Sequence, residues 1–333
     1  VWPRATAMSS KIAKTRTIVS NEIGGILYET TLSLTRHGLA SLVFHAYGEQ
    51  PWLAAKVDKL VDFDAKSSRF AITVMFVNTP LMKDTTVAKA NIRAQYGIQK
   101  SSVHVADTHA ESKIIAEAVL NANSVQFLNR HDGNDCSVVA NELAVRLEQS
   151  TVMPSMYLLP QTMMIDSGAV MSFFGLRPRT DVDVLFLSEV QNKLLGSRNG
   201  VLVEAHERNH FGIHGHTADD MFFDPSNYGY CHGMKYVSIT QMRQYKTNRA
   251  VQGKDEFDVA AIDEFLSPTS TTSKPTRIST ASRRSSRGGR VMTCGYPKTS
   301  EWVARNVFSD FEPVSVRKTK YASSDLLIVG MHN

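Results

Sequence analysis

The sequence predicts a mixed α/β fold, with two α/β units followed by a basic polar segment and a C-terminal arm. Strand-like apolar runs alternate with helical patterns in the first half, a strand–helix–strand pattern recurs from about residue 163, and the composition changes abruptly at Ser267. With 333 residues, of which 42% are hydrophobic, the chain is long enough for two cores. We therefore predict an α/β domain over 1–150, a second over 151–266, a Ser/Arg-rich linker over 267–290 and a docking arm over 291–333.

The first domain shows a βαβ signature. Residues 69–77 are an apolar run typical of a buried strand, and residues 86–96 suit a helix. Further short strands are predicted over Val103–Val105 and Ser124–Leu128. This alternation favours a parallel or mixed sheet.

Two helices are predicted between and after these strands. Thr108 and Glu111 have the spacing of a capping box, which begins a helix that ends near Asn121. The run around Thr108 is open to a metal or phosphate role, but helix capping accounts for both residues. A further helix over 136–149 leads towards the second domain.

The stretch 167–186 contains the candidate metal-binding and phosphate-binding residues. A small-residue turn, Ser167-Gly168, precedes a short helix and then a strand with Asp181 and Asp183. Residues i and i+2 of a strand project to one face, so we expect the two carboxylates side by side. Adjacent carboxylates are stabilised by a cation, and oxygen ligands suit Mg²⁺. A glycine turn before a helix lets the backbone approach a phosphate. The plainer interpretation is a strand with two exposed acids beside a turn.

The order of these residues resembles the core of the DNA-polymerase-β-type nucleotidyltransferase superfamily. The turn, Gly-Leu-Arg and Arg-x-Asp-x-Asp are similar to the branch with antitoxin-linked and abortive-infection enzymes. That branch reads Gly-Gly-x-Ala-Leu, a helix, and Arg-x-[Ser/Thr]-x-Asp-[Ile/Val]-Asp. Ser167 replaces the first glycine, as in the superfamily's Gly-Ser variant. The resemblance implies a nucleotidyltransferase-like mixed sheet with flanking helices over 151–266.

Residues 228–266 are similar to the segment that follows the active-site strand in several such enzymes. The segment has a Gly-x-Lys-[aromatic]-[aliphatic]-Ser strand, a helix rich in Lys and Arg, and Lys-Asp-x-x-Asp-[aliphatic] at the start of another helix. Asp255 and Asp258 share a helix face. Asp255 is typical of an acid that complements the helix dipole, and Asp258 could orient Arg249 or Lys246.

The resemblance also implies a role for each residue of the candidate site. Asp181 and Asp183 would hold Mg²⁺, and Glu204, at the end of the next strand-like run, would supply a third carboxylate as metal ligand or base. The substrate would be a nucleoside triphosphate. Its phosphates would be bound by the glycine turn and by basic side chains, namely Ser167, Gly168, Arg177, Arg179 and Lys235.

Four histidines follow Glu204 closely. They are His206, His210, His214 and His216. Their density suggests a metal, but their spacings reproduce no known zinc pattern and no cysteine lies among them at ligand spacing. We expect loop residues near an anionic site rather than a zinc centre.

The segment 267–290 accounts for the basic character of the chain. The 37 basic and 32 acidic residues give a net charge of +5, and six of the basic residues lie in this segment, which has no acid. Its arginines are Arg277, Arg283, Arg284, Arg287 and Arg290. Such a segment favours RNA or another phosphate-rich partner through salt-sensitive contacts. A solvated linker is the alternative.

Cysteine use and hydropathy bear on the compartment. No apolar run reaches the roughly 18 residues that span a bilayer. The three cysteines are isolated and odd in number, which argues against a disulfide framework and for a reducing, cytoplasmic setting.

Two functions follow. The first is Mg²⁺-dependent transfer of a nucleotidyl group from a nucleoside triphosphate to an acceptor. The second is a structural, capsid-associated component of a virion or other nucleoprotein particle that keeps the fold as a scaffold. The first residue, Val1 rather than Met, and the arm-like C-terminal region favour the second, whereas the Asp-x-Asp pair favours the first.

Overall fold

A computed structural model of the chain describes residues 1–47, 52–64, 66–79, 85–130, 136, 138–139, 143, 162–187, 203–206, 208–250 and 253–267. Within these residues the fold is mixed α/β, with one two-stranded and one five-stranded sheet, in agreement with the predicted class. Apart from Ser267, the predicted linker and arm lie outside the described residues, and so do Arg277, Arg283, Arg284, Arg287 and Arg290. No helix in the described ranges is both long and apolar enough to cross a membrane.

The first 130 residues form helices around one antiparallel strand pair. The strands are β1 (Gly25–Thr35) and β2 (Arg69–Asn78), with Thr35 opposite Arg69. The helices are α1 (Pro3–Thr6), α2 (Ser9–Ile18), α3 (Arg36–Tyr47), α4 (Leu53–Val61), α5 (Thr86–Tyr96), α6 (His109–Leu120) and α7 (Ala122–Arg130). The predicted strand over 69–77 and helix over 86–96 are therefore confirmed as β2 and α5.

The predicted βαβ unit is wrong for the described part of this region. Val103–Val105 does not form a strand, and Ser124–Leu128 lies inside α7. The side chain of Asn121 explains the second error, because its Oδ1 accepts a hydrogen bond from the backbone N of Ser124 at 3.0 Å and so begins a new helix. Ser124 and Phe127 then lie on one buried helical face.

The predicted start of α6 is confirmed. Thr108 Oγ1 accepts from the backbone N of Glu111 at 3.1 Å. The Glu111 carboxylate accepts in turn from the backbone N of Asp107 at 2.7 Å. Of the helix predicted over 136–149, four residues lie in the described ranges, and all four are helical.

The second sheet is mixed and has the strand order β5–β4–β3–β7–β6. Its strands are β3 (Met163–Asp166), β4 (Val182–Phe186), β5 (Val203–Ala205), β6 (Tyr228–Cys231) and β7 (Met234–Val237). The central strand β3 is antiparallel to β4 and parallel to β7. The strand β5 runs parallel to β4 at one edge.

Five helices with described bounds follow β3 in the chain and accompany this sheet. They are α8 (Ser167–Phe173), α9 (Asn209–His214), α10 (Ala218–Phe223), α11 (Ile239–Arg249) and α12 (Lys254–Leu266). The helix and strand predicted in order over 167–186 are confirmed, but Ser167 and Gly168, the glycine turn predicted before the helix, form its first two residues. The strand–helix–helix order predicted over 228–266 is confirmed as secondary structure. Every residue of β4 is buried, because α8 packs on this part of the sheet and both strand faces are covered.

Residues from before position 150 also belong to the core of the second sheet. The ring of Phe127, on α7, lies 5.7 Å from the rings of both Phe174 and Tyr236. The amide of Asn121 donates to the backbone carbonyls of Pro225 and Tyr228, each at 3.0 Å. The helix pair α6–α7 is therefore packed against β6 as well as against β1 and α3.

The expectation of unpaired cysteines is wrong. Cys136 and Cys231 form a disulfide, although 95 positions separate them in the chain. Both residues are buried in the core of the second sheet. No sequence motif marks such a pair, because tertiary packing alone brings the two cysteines together. The inference of a reducing compartment therefore loses its basis.

Candidate functional site

Two buried aspartates face each other at one end of the second sheet. Asp166 is the last residue of β3 and lies directly opposite Asp183 of β4. Directly paired residues on adjacent strands project to the same face, so the two carboxylates share one surface of the sheet. Asp166 is fully buried and Asp183 is 8% exposed. Glu204 lies opposite Asp183 on β5, which adds a third acidic position to the row. The Glu204 side chain is outside what the structure describes.

Asp181 lies one residue before β4 and meets the glycine turn. A β-carbon built on Gly168 would lie 3.0 Å from Nη2 of Arg177 and 3.5 Å from Oδ1 of Asp181. The missing side chain of Gly168 thus lets a guanidinium and a carboxylate approach the turn closely. Ser167, at the start of the turn, has a positive φ of 53° and a buried hydroxyl.

The two aspartates that the sequence placed side by side have different neighbours. Asp181 lies beside Gly168 and Arg177, whereas Oδ1 of Asp183 lies 3.4 Å from Nε2 of His206. The carboxylate directly across from Asp183 is Asp166, which sequence reasoning missed. One signal was available: Asp166 ends an apolar strand run immediately before the turn.

Arg177 is oriented by a buried chain of charges between α11 and α12. Its Nε lies 3.1 Å from Oδ1 of Asp258, whose Oδ2 lies 2.9 Å from Nζ of Lys246. Lys246 also reaches Asp255 at 3.1 Å, and Asp255 accepts from Nε of Arg249 at 2.8 Å. Asp258 therefore orients Lys246, one of its two predicted partners, and also Arg177. Asp255, interpreted from sequence as a helix-dipole acid, is instead the partner of Arg249 and Lys246.

The charged side chains of this buried chain of charges are tightly paired, as the pKa of Asp255 shows. Burial pushes the pKa of Asp255 upward, but the hydrogen bond from Arg249 and the charge of Lys246 outweigh it and lower that pKa to about 2. The Asp255 carboxylate is therefore ionised at neutral pH and offsets the buried ammonium of Lys246.

An open cleft adjoins Arg177. It has a volume of about 500 Å³. Its lining residues are Ser172, Gly175, Arg177, Pro178 and Arg179. Two arginines line this basic cleft, and guanidinium groups bind phosphate oxygens well because they can form two parallel hydrogen bonds.

The ammonium group of Lys235, predicted to bind phosphate, contacts other groups of the protein. Its ammonium donates to the carbonyl of Phe222 at 2.5 Å and lies 4.1 Å from the ring centroid of Tyr228. Burial lowers its pKa to about 8, against the opposing charge of Glu117. These contacts are with α10, β6 and α6, so the proposed role of Lys235 towards phosphate gains no support.

Three histidines gather around Asp166. Nδ1 of His206 lies 2.9 Å from Oδ2 of Asp166, and Nε2 of His214 lies 3.3 Å from the same oxygen. The ring of His210 lies 3.8 Å from that of His206. Nδ1 of His210 lies 3.3 Å from the hydroxyl of Tyr245. These histidines were expected in a loop, but His210 and His214 are one turn apart in α9, a spacing that could have revealed their common face.

The histidines differ in protonation. Burial lowers the pKa of His206, but its hydrogen bonds with Asp166 and Asp183 outweigh burial and raise that pKa to about 9. Burial and the neighbouring charge of His206 lower the pKa of His210 to about 4. Burial also acts to raise the pKa of Asp166, but His214 and His206 hold it well below its usual range. At neutral pH, a charged His206 thus lies between two carboxylates and beside a neutral His210.

The site therefore combines an acidic row on the sheet, a basic cleft beside the glycine turn and an imidazole cluster. Comparisons with protein-family models, with curated protein sequences and with solved structures give no match to this chain. Its chemistry is accordingly inferred from its own residues.

Proposed function

We propose that this protein is a nucleotidyltransferase of the polymerase-β type, which transfers a nucleotidyl group from a nucleoside triphosphate in the presence of Mg²⁺. The observation that carries the proposal is the convergence of Gly168, Arg177 and Asp181. Arg177 and Asp181 lie 9 and 13 positions after Gly168 in the chain, yet a β-carbon on Gly168 would lie within 3.5 Å of both side chains. The glycine turn, the arginine and the aspartate of the sequence pattern are therefore also close together in space.

The donor set fits Mg²⁺. Asp181 and Asp183 offer hard carboxylate oxygens at the start of one strand, and Mg²⁺ binds through one or two carboxylates together with substrate phosphates. His206 contacts one oxygen of Asp183, Oδ1. When bound, Mg²⁺ would supply positive charge that stabilises the charge on the phosphates. Glu204 and Asp166 extend the acidic row, and Glu204 keeps its proposed role as further ligand or base.

The residues of the chain would divide the remaining work. Arg177 and Arg179, from the basic cleft, would bind the triphosphate and offset the charge that develops on the leaving pyrophosphate. Asp258 holds Arg177 in place as a positioning residue. Ser167 and Gly168 would keep the turn open to the phosphates. The basic segment 267–290 favours a phosphate-rich acceptor such as RNA.

The test measures binding and transfer separately. The full chain is incubated with Mg²⁺ and each of the four α-labelled ribonucleoside triphosphates, with and without RNA, and label in RNA or protein is followed together with pyrophosphate release. Asp181→Asn and Asp183→Asn should each lower transfer by about 100-fold or more. Asp58→Asn, an exposed aspartate of α4, is the matched control and should leave transfer unchanged.

The outcomes are distinct. Loss of transfer in both site variants, with wild-type rates in the control, supports the enzyme. If the wild-type chain binds no nucleoside triphosphate in the presence of Mg²⁺, the proposal fails and the scaffold of a nucleoprotein particle is the alternative. Wild-type transfer by Asp183→Asn would also contradict the assigned roles.

A further inference from the structure

The imidazole cluster contains a set of metal ligands that the proposed transfer reaction does not use. One ligand atom each from Asp166, His206 and His210 can be chosen so that all three lie within 4.8 Å of one another. Two come from imidazoles four positions apart, just before and within α9, and one comes from the end of β3, so two chain segments converge. This set differs in position and chemistry from the Asp181 and Asp183 oxygens proposed for Mg²⁺.

Asp166 has a buried oxygen that lacks a donor. Its Oδ2 receives both His206 and His214, whereas its Oδ1 has no hydrogen-bond partner and is inaccessible to solvent. A buried carboxylate oxygen without a partner is destabilising, because its lost hydration is not replaced. A cation bound through both carboxylate oxygens of Asp166 would remove this deficit and would lie beside the His206 nitrogen that already contacts Oδ2.

The nitrogen atoms are arranged to complete such a site. Nδ1 of His210 is engaged by the hydroxyl of Tyr245 at 3.3 Å, which directs Nε2 as its ligand atom. Ligand atoms bound at about 2.0–2.1 Å in a tetrahedral site lie roughly 3.3 Å apart. The 2.9 Å between His206 and Asp166 is already close to that separation. Metal binding would therefore need a small adjustment of side chains and the release of the proton that His206 carries at neutral pH.

A second layer of residues holds these ligands. The His214 ring is fully buried, contacts Oδ2 of Asp166 and stacks on Tyr245 with ring centroids 4.5 Å apart. Tyr245 contacts His210 in turn. Metal ligands in proteins are usually oriented by such outer hydrogen bonds, whose loss weakens metal binding by about 10–100-fold.

We propose that Asp166, His206 and His210 bind one divalent transition-metal ion of the zinc class and leave a coordination position for water or substrate. Imidazole nitrogens suit Zn²⁺, Co²⁺ and Ni²⁺ better than Mg²⁺, which prefers oxygen ligands. Three protein ligands rather than four are typical of metal sites that keep an open position. The proposal does not depend on nucleotidyl transfer.

The experiment uses Co²⁺ as an optical probe. The full chain, freed of metal with a chelator, is titrated with Co²⁺ and the visible absorption of the bound ion is recorded, after which Zn²⁺ is added as a competitor. The expected result is a band that saturates at one equivalent and is removed by Zn²⁺. His210→Ala should weaken Co²⁺ binding by more than about 100-fold, and His214→Gln by about 10-fold, as for loss of a ligand and of an outer partner respectively.

Two controls make the result specific. His216→Ala removes a histidine just after α9 that is not part of the set and should bind Co²⁺ as the wild type does. Asp181→Asn, which the proposed function requires to be inactive, should also keep the Co²⁺ band, so the two proposals can fail independently. His210→Ala is preferred to Asp166→Asn because His210 is half-buried and Asp166 is fully buried. Far-ultraviolet circular dichroism confirms that each variant is folded.

Absence of a saturable Co²⁺ band in the wild-type chain would overturn the proposal. Equal binding by His210→Ala and His216→Ala would do the same. In either case the charged His206 alone would account for the cluster, as a hydrogen-bonded bridge between Asp166 and Asp183.

Discussion

Asp166 and Asp183 lie directly opposite each other on adjacent antiparallel strands, and His206 contacts both carboxylates. Two buried like charges on paired strand positions are destabilising unless a cation separates them. In this protein the imidazole ring of His206 occupies that place, with its two nitrogens 2.9 and 3.4 Å from the two carboxylates. The central pair of the site is therefore Asp166 with Asp183, whereas Asp181 lies beside Gly168 and Arg177.

Gly168→Ala tests the contact between the turn and the basic cleft. The added methyl group would lie 3.0 Å from Nη2 of Arg177, so the guanidinium must move, while the fold survives because the obstacle is the end of a flexible side chain. Under the proposed function, the loss of one charge-assisted phosphate contact should weaken Mg²⁺–triphosphate binding by about 10-fold. Equilibrium binding of the triphosphate measures this change.

Gly212→Ala is the matched control for that substitution. Nothing lies within 4 Å of a β-carbon at Gly212, which is also helical, so triphosphate binding should be unchanged. Wild-type affinity in Gly168→Ala would show that Arg177 does not contact the phosphates from its observed position.

Lys246→Met tests the buried charge chain. Lys246 is 1% exposed and pairs with Asp255 and Asp258, so its removal leaves Asp258 with Arg177 as its remaining described cation and Asp255 with Arg249. Breaking a buried ion pair by removing one partner typically costs 3–5 kcal/mol, and we expect about that loss in the free energy of unfolding. Urea denaturation at neutral pH measures it. Lys254→Met, at an exposed lysine that begins α12, should change the stability by less than about 0.5 kcal/mol.

Glu117 predicts a pH dependence of stability. Burial raises the pKa of Glu117 to about 7, against the opposing charges of Lys113 and Lys235, whereas the unfolded chain has the ordinary value of 4.5. Between these two pH values the unfolded state loses the proton first. Stability should therefore be highest below about pH 4.5 for this group and fall by roughly 3 kcal/mol as the pH rises to 7, after which it levels off.

Glu117→Gln should remove this contribution. The difference in unfolding free energy between wild type and Glu117→Gln, measured with urea at several pH values, should change steadily from pH 5 to about 7 and then become constant. Glu256→Gln, at an exposed position of α12, should show no such trend. A difference that is independent of pH would mean that Glu117 ionises normally in the folded protein.

The disulfide between Cys136 and Cys231 predicts how many of the three cysteines an alkylating reagent can modify. Cys136 and Cys231 are bonded, so alkylation of the denatured chain without reductant should modify one of the three cysteines, and alkylation after reduction should modify all three. Mass spectrometry gives both counts. Because the bond spans 95 positions, reduction should lower stability by about 4 kcal/mol. Three modified cysteines before reduction would exclude the bond.

Elements set by local interactions could be predicted from the sequence. The start of α6 follows from Thr108 and Glu111, three positions apart, and β2 follows from one uninterrupted apolar run. Ser124–Leu128 could not be predicted in the same way, because a short apolar run is compatible with helix or strand. The cap of Asn121 and packing on β6 made it a helix.

The same difference between local and distant interactions decides which residues of the candidate site could be predicted from the sequence. Ser167, Gly168, Asp181 and Asp183 could be named because their order in one continuous stretch resembles a known pattern. The surroundings of Lys235 could not be predicted, because Phe222 and Tyr228 contact it only in the folded structure. Asp166 was missed for a comparable reason, since its histidine partners lie 40 and 48 positions further along the chain.

The sequence alone determined the class of the fold, the glycine turn and the two aspartates of the strand that follows it, because each depends on residues close together in the chain. Tertiary structure alone decided that Asp166 faces Asp183, that three histidines surround Asp166, and that Cys136 meets Cys231. These are contacts between distant segments. They depend on strand register and helix packing, which no local pattern specifies.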